Sequence, residues 1–91
     1  MYRPRPSPES KNIVGKRIME LRKRDKISQR ALATKLQLLE IDIDKNVITR
    51  IETGKRFVTD FEIKAFATVF GVSYEFLIDG VDSNQYGRKN D

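Results

Sequence analysis

The stretch IDIDKNVITRIETGKR, residues 41–56, admits three readings, and each implies a different protein. A calcium loop needs oxygens at positions 1, 3 and 5, Gly at 6 and a bidentate Glu at 12. Counted from Asp42, position 6 is Val47 and position 12 is Thr53. Both fail, so the carboxylates belong to a loop that precedes a helix. A strand would rest on Leu39, Ile41 and Ile43 alternating with Glu40 and Asp42, but nothing elsewhere offers it a partner strand. An extended connector with alternate side chains tucked inward explains the alternation as well. The helix reading has the most support. Asp44 is a strong N-cap whose charge suits a helix's positive end. Ile48 and Ile51 then form an inner face with Val47 beside them, and Gly54 supplies the left-handed stop.

The other side of that helix carries Lys45, Asn46, Thr49 and Arg50, paired at i, i+4 as 45/49 and 46/50, with Lys55 and Arg56 just beyond. Arg and Lys donate to guanine O6 and N7, Asn pairs with adenine, and a Thr methyl meets the methyl of thymine. A polar, solvated face on an ordinary surface helix fits the same inventory, so the surroundings must choose.

The chain has 91 residues, 38% hydrophobic and 34% charged, which allows one small domain with a modest core. It has no cysteine and no histidine, hence no disulfide framework, no thiolate metal site and no imidazole acid–base group. With no Gly-rich phosphate loop either, an enzyme is not expected, nor a metal or cofactor. No apolar run approaches the roughly 20 residues that span a bilayer, and a soluble, cytoplasmic protein is expected. Residues 1–56 hold 15 Lys/Arg and 7 Asp/Glu, whereas residues 57–91 hold 3 and 6. Such skew suggests one face built for a polyanion.

Residues 1–9, with YRPRPSP at 2–8, read as a flexible basic arm. A helix is expected from Ser10 or Asn12, with Val14, Ile18 and Leu21 as its apolar stripe. Ser28 caps a second, with Leu32, Ala33 and Leu36 inward. Thr59-Asp60-Phe61-Glu62 is a capping box ahead of a fourth helix that Gly71 ends, and Ser73 caps a short fifth that stops at Asp79-Gly80. Residues 81–91 read as a polar, frayed tail. The fold class is all-α, five helices without a convincing strand.

Three segments in this order, SQRALATKL (28–36), ITRIETGKR (48–56) and GVSYEFLIDG (71–80), resemble the Cro/C1-type helix-turn-helix family, the XRE-like phage and bacterial repressors. The resemblance covers about residues 13–80 and implies a lambda-repressor-like DNA-binding domain whose third helix enters the major groove. By position it gives Gln29 the role of a backbone-clamping glutamine, with Arg30, Lys55 and Arg56 on phosphate. It gives Lys45, Asn46, Thr49 and Arg50 the bases, and makes Arg22 and Glu52 a structural ion pair between helices one and three.

The sequence departs from the family in three places. Seven residues, Gln37 to Ile43, separate Leu36 from the next N-cap where relatives have two, so helix two is expected to run on towards Leu39. Asp25 stands where a glycine often ends helix one. Arg30 replaces a common Glu, poor for the helix dipole but suited to a nearby phosphate. The expected function is a sequence-specific regulator of double-stranded DNA, a repressor acting as a homodimer on half-sites about 34 Å apart. Tyr74, Phe76, Ile78 and the segment to Tyr86 are candidate dimer surface, although plain core packing is the role expected of Phe76 and Leu77. Arg3 and Arg5 could enter a minor groove, or simply belong to a loose terminus. The rival is an antitoxin or accessory protein that binds a protein partner and represses its own operon through the same domain. RNA binding is a weaker option, as the basic face lacks aromatics that stack bases.

Overall fold

A computed structural model describes residues 9–80, which form α1 (Gly15–Arg24), α2 (Gln29–Leu38), α3 (Lys45–Glu52), α4 (Asp60–Phe70) and α5 (Tyr74–Asp79), with no strand among the described residues. The expected arm and tail, including Arg3, Arg5 and Tyr86, lie outside the described residues except for Glu9.

Four helices start where a short polar side chain can take an orphan amide. Ser28 accepts from Ala31 N at 2.9 Å, Asp44 from Val47 N at 2.9 Å, Thr59 from Glu62 N at 3.2 Å and Ser73 from Phe76 N at 3.0 Å. The capping box is complete, because Glu62 Oε1 also accepts from Thr59 N at 3.0 Å. The first helix begins later than expected. Asn12 Oδ1 does accept from Gly15 N at 2.7 Å, but Val14 is the residue at the cap and regular helix runs only from Gly15.

The helix ends also follow one chemistry. After α1, Lys26 N donates to Lys23 O and Ile27 N to Arg22 O, both at 3.1 Å; after α2, Glu40 N donates to Gln37 O at 2.8 Å and Ile41 N to Leu36 O at 3.0 Å. These are Schellman closures, which need one residue in the left-handed region. That residue is Lys26 (φ 58°) after α1, and Asp25 stays right-handed at φ −86°, paired with Arg24. The glycine-like role expected of Asp25 therefore falls one residue later. After α2 it is Glu40 (φ 64°). A non-glycine residue there costs about 1–2 kcal/mol. In both cases the two closing bonds and the inward tuck of Ile27 or Ile41 against the core offset it.

The long link between α2 and α3 follows from that turn. Helix α2 runs past Leu36 to Leu38, as its Leu-rich extension suggested. The tucked-in alternation holds only in part: Ile43 is buried at 4% and Ile41 half-buried, but Leu39 stays 41% exposed. Leu39 is the last helical cap, and the left-handed Glu40 reverses the chain only after it.

Ile18, Leu32, Leu36, Ile48, Ile51, Phe66 and Leu77 have no exposed surface and tie all five helices into one core. Helix α3 packs against both α1 and α2. At Gly15 its approach to α1 is backbone to backbone: a Cβ there would overlap the carbonyl oxygen of Ile51.

Candidate nucleic-acid interface

Helix α3 presents two chemically distinct sides. Ile48 and Ile51 are fully buried, which fixes its rotation, and leaves Lys45, Asn46, Thr49 and Arg50 exposed together. Its single acid, Glu52, is turned inward with a side chain only 3% exposed. The outward face thus carries two cations, an amide and a threonine, without a carboxylate.

What holds the face in place is a chain of polar contacts beneath it. Arg22 Nε donates to Glu52 Oε2 at 2.7 Å and Arg22 Nη2 to Glu52 Oε1 at 3.2 Å. Gln29 Nε2 donates to the same Oε1 at 3.0 Å, and Thr49 Oγ1 donates to Gln29 Oε1 at 3.1 Å. Arg22 is on α1, Gln29 on α2, Glu52 and Thr49 on α3, so one network joins all three. From the far side, Asn12 Nδ2 donates to Ile51 O at 3.1 Å and to Arg56 O at 2.8 Å, fastening the end of α3 to the entrance of α1. Asn12 is marked in the sequence only as a possible helix start, not as a tie to α3, and Gly15 is not marked at all. A glycine in the first turn of a helix was the available signal for Gly15, since a poor helix former there implies a close approach.

The positions expected to grip phosphate differ among themselves. Arg30 is exposed in the first turn of α2, where amide groups point outward. Lys55 is exposed just past α3, its own N–H closing the helix on Arg50 O at 2.7 Å. Gln29 keeps one amide proton, its other donor and its acceptor being engaged inside the protein. Arg56 stands differently from the expectation. It is half-buried, bonded to Glu62 through Nη1 at 2.9 Å and Nη2 at 3.2 Å, and it braces the loop after α3 to the capping box of α4.

Burial pushes the Glu62 carboxyl up, but the Arg56 guanidinium and the Thr59 N–H and hydroxyl outweigh it, and the group lies below its ordinary 4.5. A carboxylate depressed in the folded state contributes stability that is complete above its unfolded value and lost as pH falls through the folded one. Stability should therefore decline on acidification below 4.5, and Glu62→Gln should flatten that limb in urea melts taken across the range. An acid limb of unchanged shape in the variant would contradict this.

The basic skew of the first 56 residues is partly consumed inside the fold. Arg17 Nη1 donates to Phe76 O at 3.1 Å and Leu77 O at 3.2 Å while its guanidinium lies 5.7 Å over the Phe76 ring. Arg24 Nη2 donates to Phe70 O at 3.1 Å. Both cations satisfy carbonyls at the negative ends of α4 and α5, a use that charge counting cannot separate from polyanion binding.

The order of elements, the capped α2 and α3, and a polar face on α3 stabilised from α1 and α2 describe a helix-turn-helix. The model of the helix-turn-helix family matches residues 18–77, from α1 into α5 and well over half the chain. The chain belongs to the Cro/C1-type helix-turn-helix family. No curated protein and no solved structure matched it. Membership makes the chain a DNA-binding transcription regulator, of a family that is typically not enzymatic. None of the helices is long and apolar enough to cross a membrane, among the described residues. In this Cro/C1-type domain the link between α2 and α3 is long, yet α3 still packs on both α1 and α2.

Proposed function

We propose that residues 10–80 are a sequence-specific reader of double-stranded DNA that represses transcription, with α3 in the major groove. The observation that supports this most is the exposed, carboxylate-free face of α3, rigidly oriented by the two isoleucines and the polar network beneath it. Lys45, Asn46, Thr49 and Arg50 read base edges. Gln29, Arg30 and Lys55, with the first-turn amides of α2, hold phosphates and set register. Arg56 acts mainly by keeping the loop of Lys55 in place, through Glu62.

Two substitutions separate reading from positioning. Arg50→Ala should cost about 1–3 kcal/mol on the preferred duplex and relax specificity at one position. Lys55→Ala should weaken all duplexes alike and reduce the salt slope by about one. If both variants behave the same way, the division of roles is wrong.

One such module buries only on the order of 600–1,000 Å² on DNA, which favours a homodimer on a pseudo-palindrome. A groove of about 420 Å³ between α4 and α5, lined by Phe61, Ile63, Tyr74 and Ile78, offers the apolar surface for it. Phe61 is 76% and Tyr74 51% exposed, whereas Phe76 lies half-buried beneath Arg17 and is unsuited to that role. Sedimentation showing one chain per duplex would remove the dimer. The same exposed aromatics suit the second reading, an antitoxin-like regulator holding a protein partner, which a stoichiometric pull-down would favour.

A further inference from the structure

We propose that Thr49 reads through its methyl group, held in that pose by Gln29, and so selects a pyrimidine carrying a C5 methyl at one position of the site. This rests on α3 being the base-facing helix and says what one of its residues recognises. A threonine offers the groove either a hydroxyl or a methyl, and the two recognise different bases. Here Oγ1 lies 3.1 Å from Gln29 Oε1 and 3.1 Å from Lys45 O. Its single proton therefore has two acceptors within the protein and is not left to donate to a base, so Oγ1 can at most accept there.

The pose is set from deeper in the fold. An amide can be turned over without changing its shape, so which atom of Gln29 faces Thr49 must be decided by its partners. The partner at its other end is the Glu52 carboxylate, which only accepts, so the amide nitrogen must point there. Glu52 is itself fixed by two bonds from Arg22. Gln29 Oε1 is thereby committed to Thr49, whose oxygen turns back towards α2, and Cγ2 is the branch of this exposed residue that no hydrogen bond engages. Among the four bases thymine alone carries a methyl into the major groove. Lys45, Asn46 and Arg50 are exposed, and among the described residues their side chains keep the donors that purine N7 and O6 accept. Gln29 is thus a positioning residue for base choice as well as a phosphate contact.

The test starts from the duplex that the full chain selects out of a random pool. Each thymine in it is replaced singly by deoxyuridine, which removes the methyl and nothing else. One thymine per half-site should lose about four-fold in affinity, the worth of one buried methyl. Placing cytosine there should weaken binding, and 5-methylcytosine should recover the methyl's share. In Thr49→Ser the thymine-to-uracil ratio at that position should fall to about one, and Thr49→Val should retain it. Gln29→Leu should reduce that ratio and leave the ratios at other thymines unchanged, whereas loss of a phosphate contact alone would weaken every duplex and alter no ratio. A selected site in which no thymine responds to the exchange, or a Thr49→Ser protein with the wild-type ratio, overturns the methyl assignment. An unaltered ratio in Gln29→Leu overturns the positioning role. A selection that enriches no sequence at all removes the underlying assignment of α3 to base reading.

Discussion

Replacing Glu52 by alanine should destabilise the domain by about 3–5 kcal/mol, the range for removing one partner of a buried ion pair. The Glu52 side chain is 3% exposed and that of Arg22 14%, so water cannot take over for the missing carboxylate. The variant would leave the Arg22 guanidinium with the Ile27 carbonyl, 3.1 Å away, and free Gln29 Nε2 of its acceptor. In a domain of this size each kcal/mol moves Tm by roughly 4–8 °C, so calorimetry should register a fall of more than about 10 °C. The pair's net worth is a separate quantity. Arg22→Met combined with Glu52→Leu removes both charges and fills the space, and should lose much less than Glu52→Ala. A loss under about 1 kcal/mol in Glu52→Ala would make this an ordinary surface pair.

The second large effect concerns Gly15, where two opposing terms must be compared. Alanine is the better helix former by about 1 kcal/mol, so Gly15→Ala would stabilise an exposed helix. Here the added Cβ would overlap the oxygen of Ile51 and come within 2.9 Å of its carbonyl carbon. That oxygen cannot easily retreat, as it accepts from Asn12 Nδ2 and Gly54 N, both at 3.1 Å. Helix α1 must therefore move off α3, at the cost of about 1–3 kcal/mol or more that overpacking brings. The steric term should win, and Gly15→Ala should lower the urea midpoint. Because Ile51 follows Arg50 directly, the displacement also reaches the face proposed to read bases, and DNA affinity should drop in protein that remains folded. A higher urea midpoint with unchanged affinity would contradict the close approach.

Local chemistry made most of this fold legible. Ser28, Asp44, Thr59 and Ser73 mark helix starts because a cap is a contact between residues three apart, and the sequence carries both partners. The entrance to α1 was misplaced for the converse reason: Asn12 spends its amide on Ile51 and Arg56, 39 and 44 residues away. The left-handed turns at Lys26 and Glu40 use residue types that rarely signal such a conformation, and the closing hydrogen bonds with the inward pull of Ile27 and Ile41 account for them. At the candidate interface, the polar inventory of α3 could be read from its spacing. The partnerships of Gln29 with Thr49 and of Arg56 with Glu62 could not, as each is made by side chains meeting across different elements.

The proposal for α3 is most directly tested by titrating the full chain against a selected duplex and a scrambled one over a range of salt. The expected result is a dissociation constant of about 10⁻⁸ M or tighter on the selected duplex, at least about 10³-fold weaker binding to the scrambled one, and log K falling linearly with log salt. If no complex forms with any duplex even in dilute buffer, the exposed side of α3 faces only water, and its assignment to DNA is contradicted.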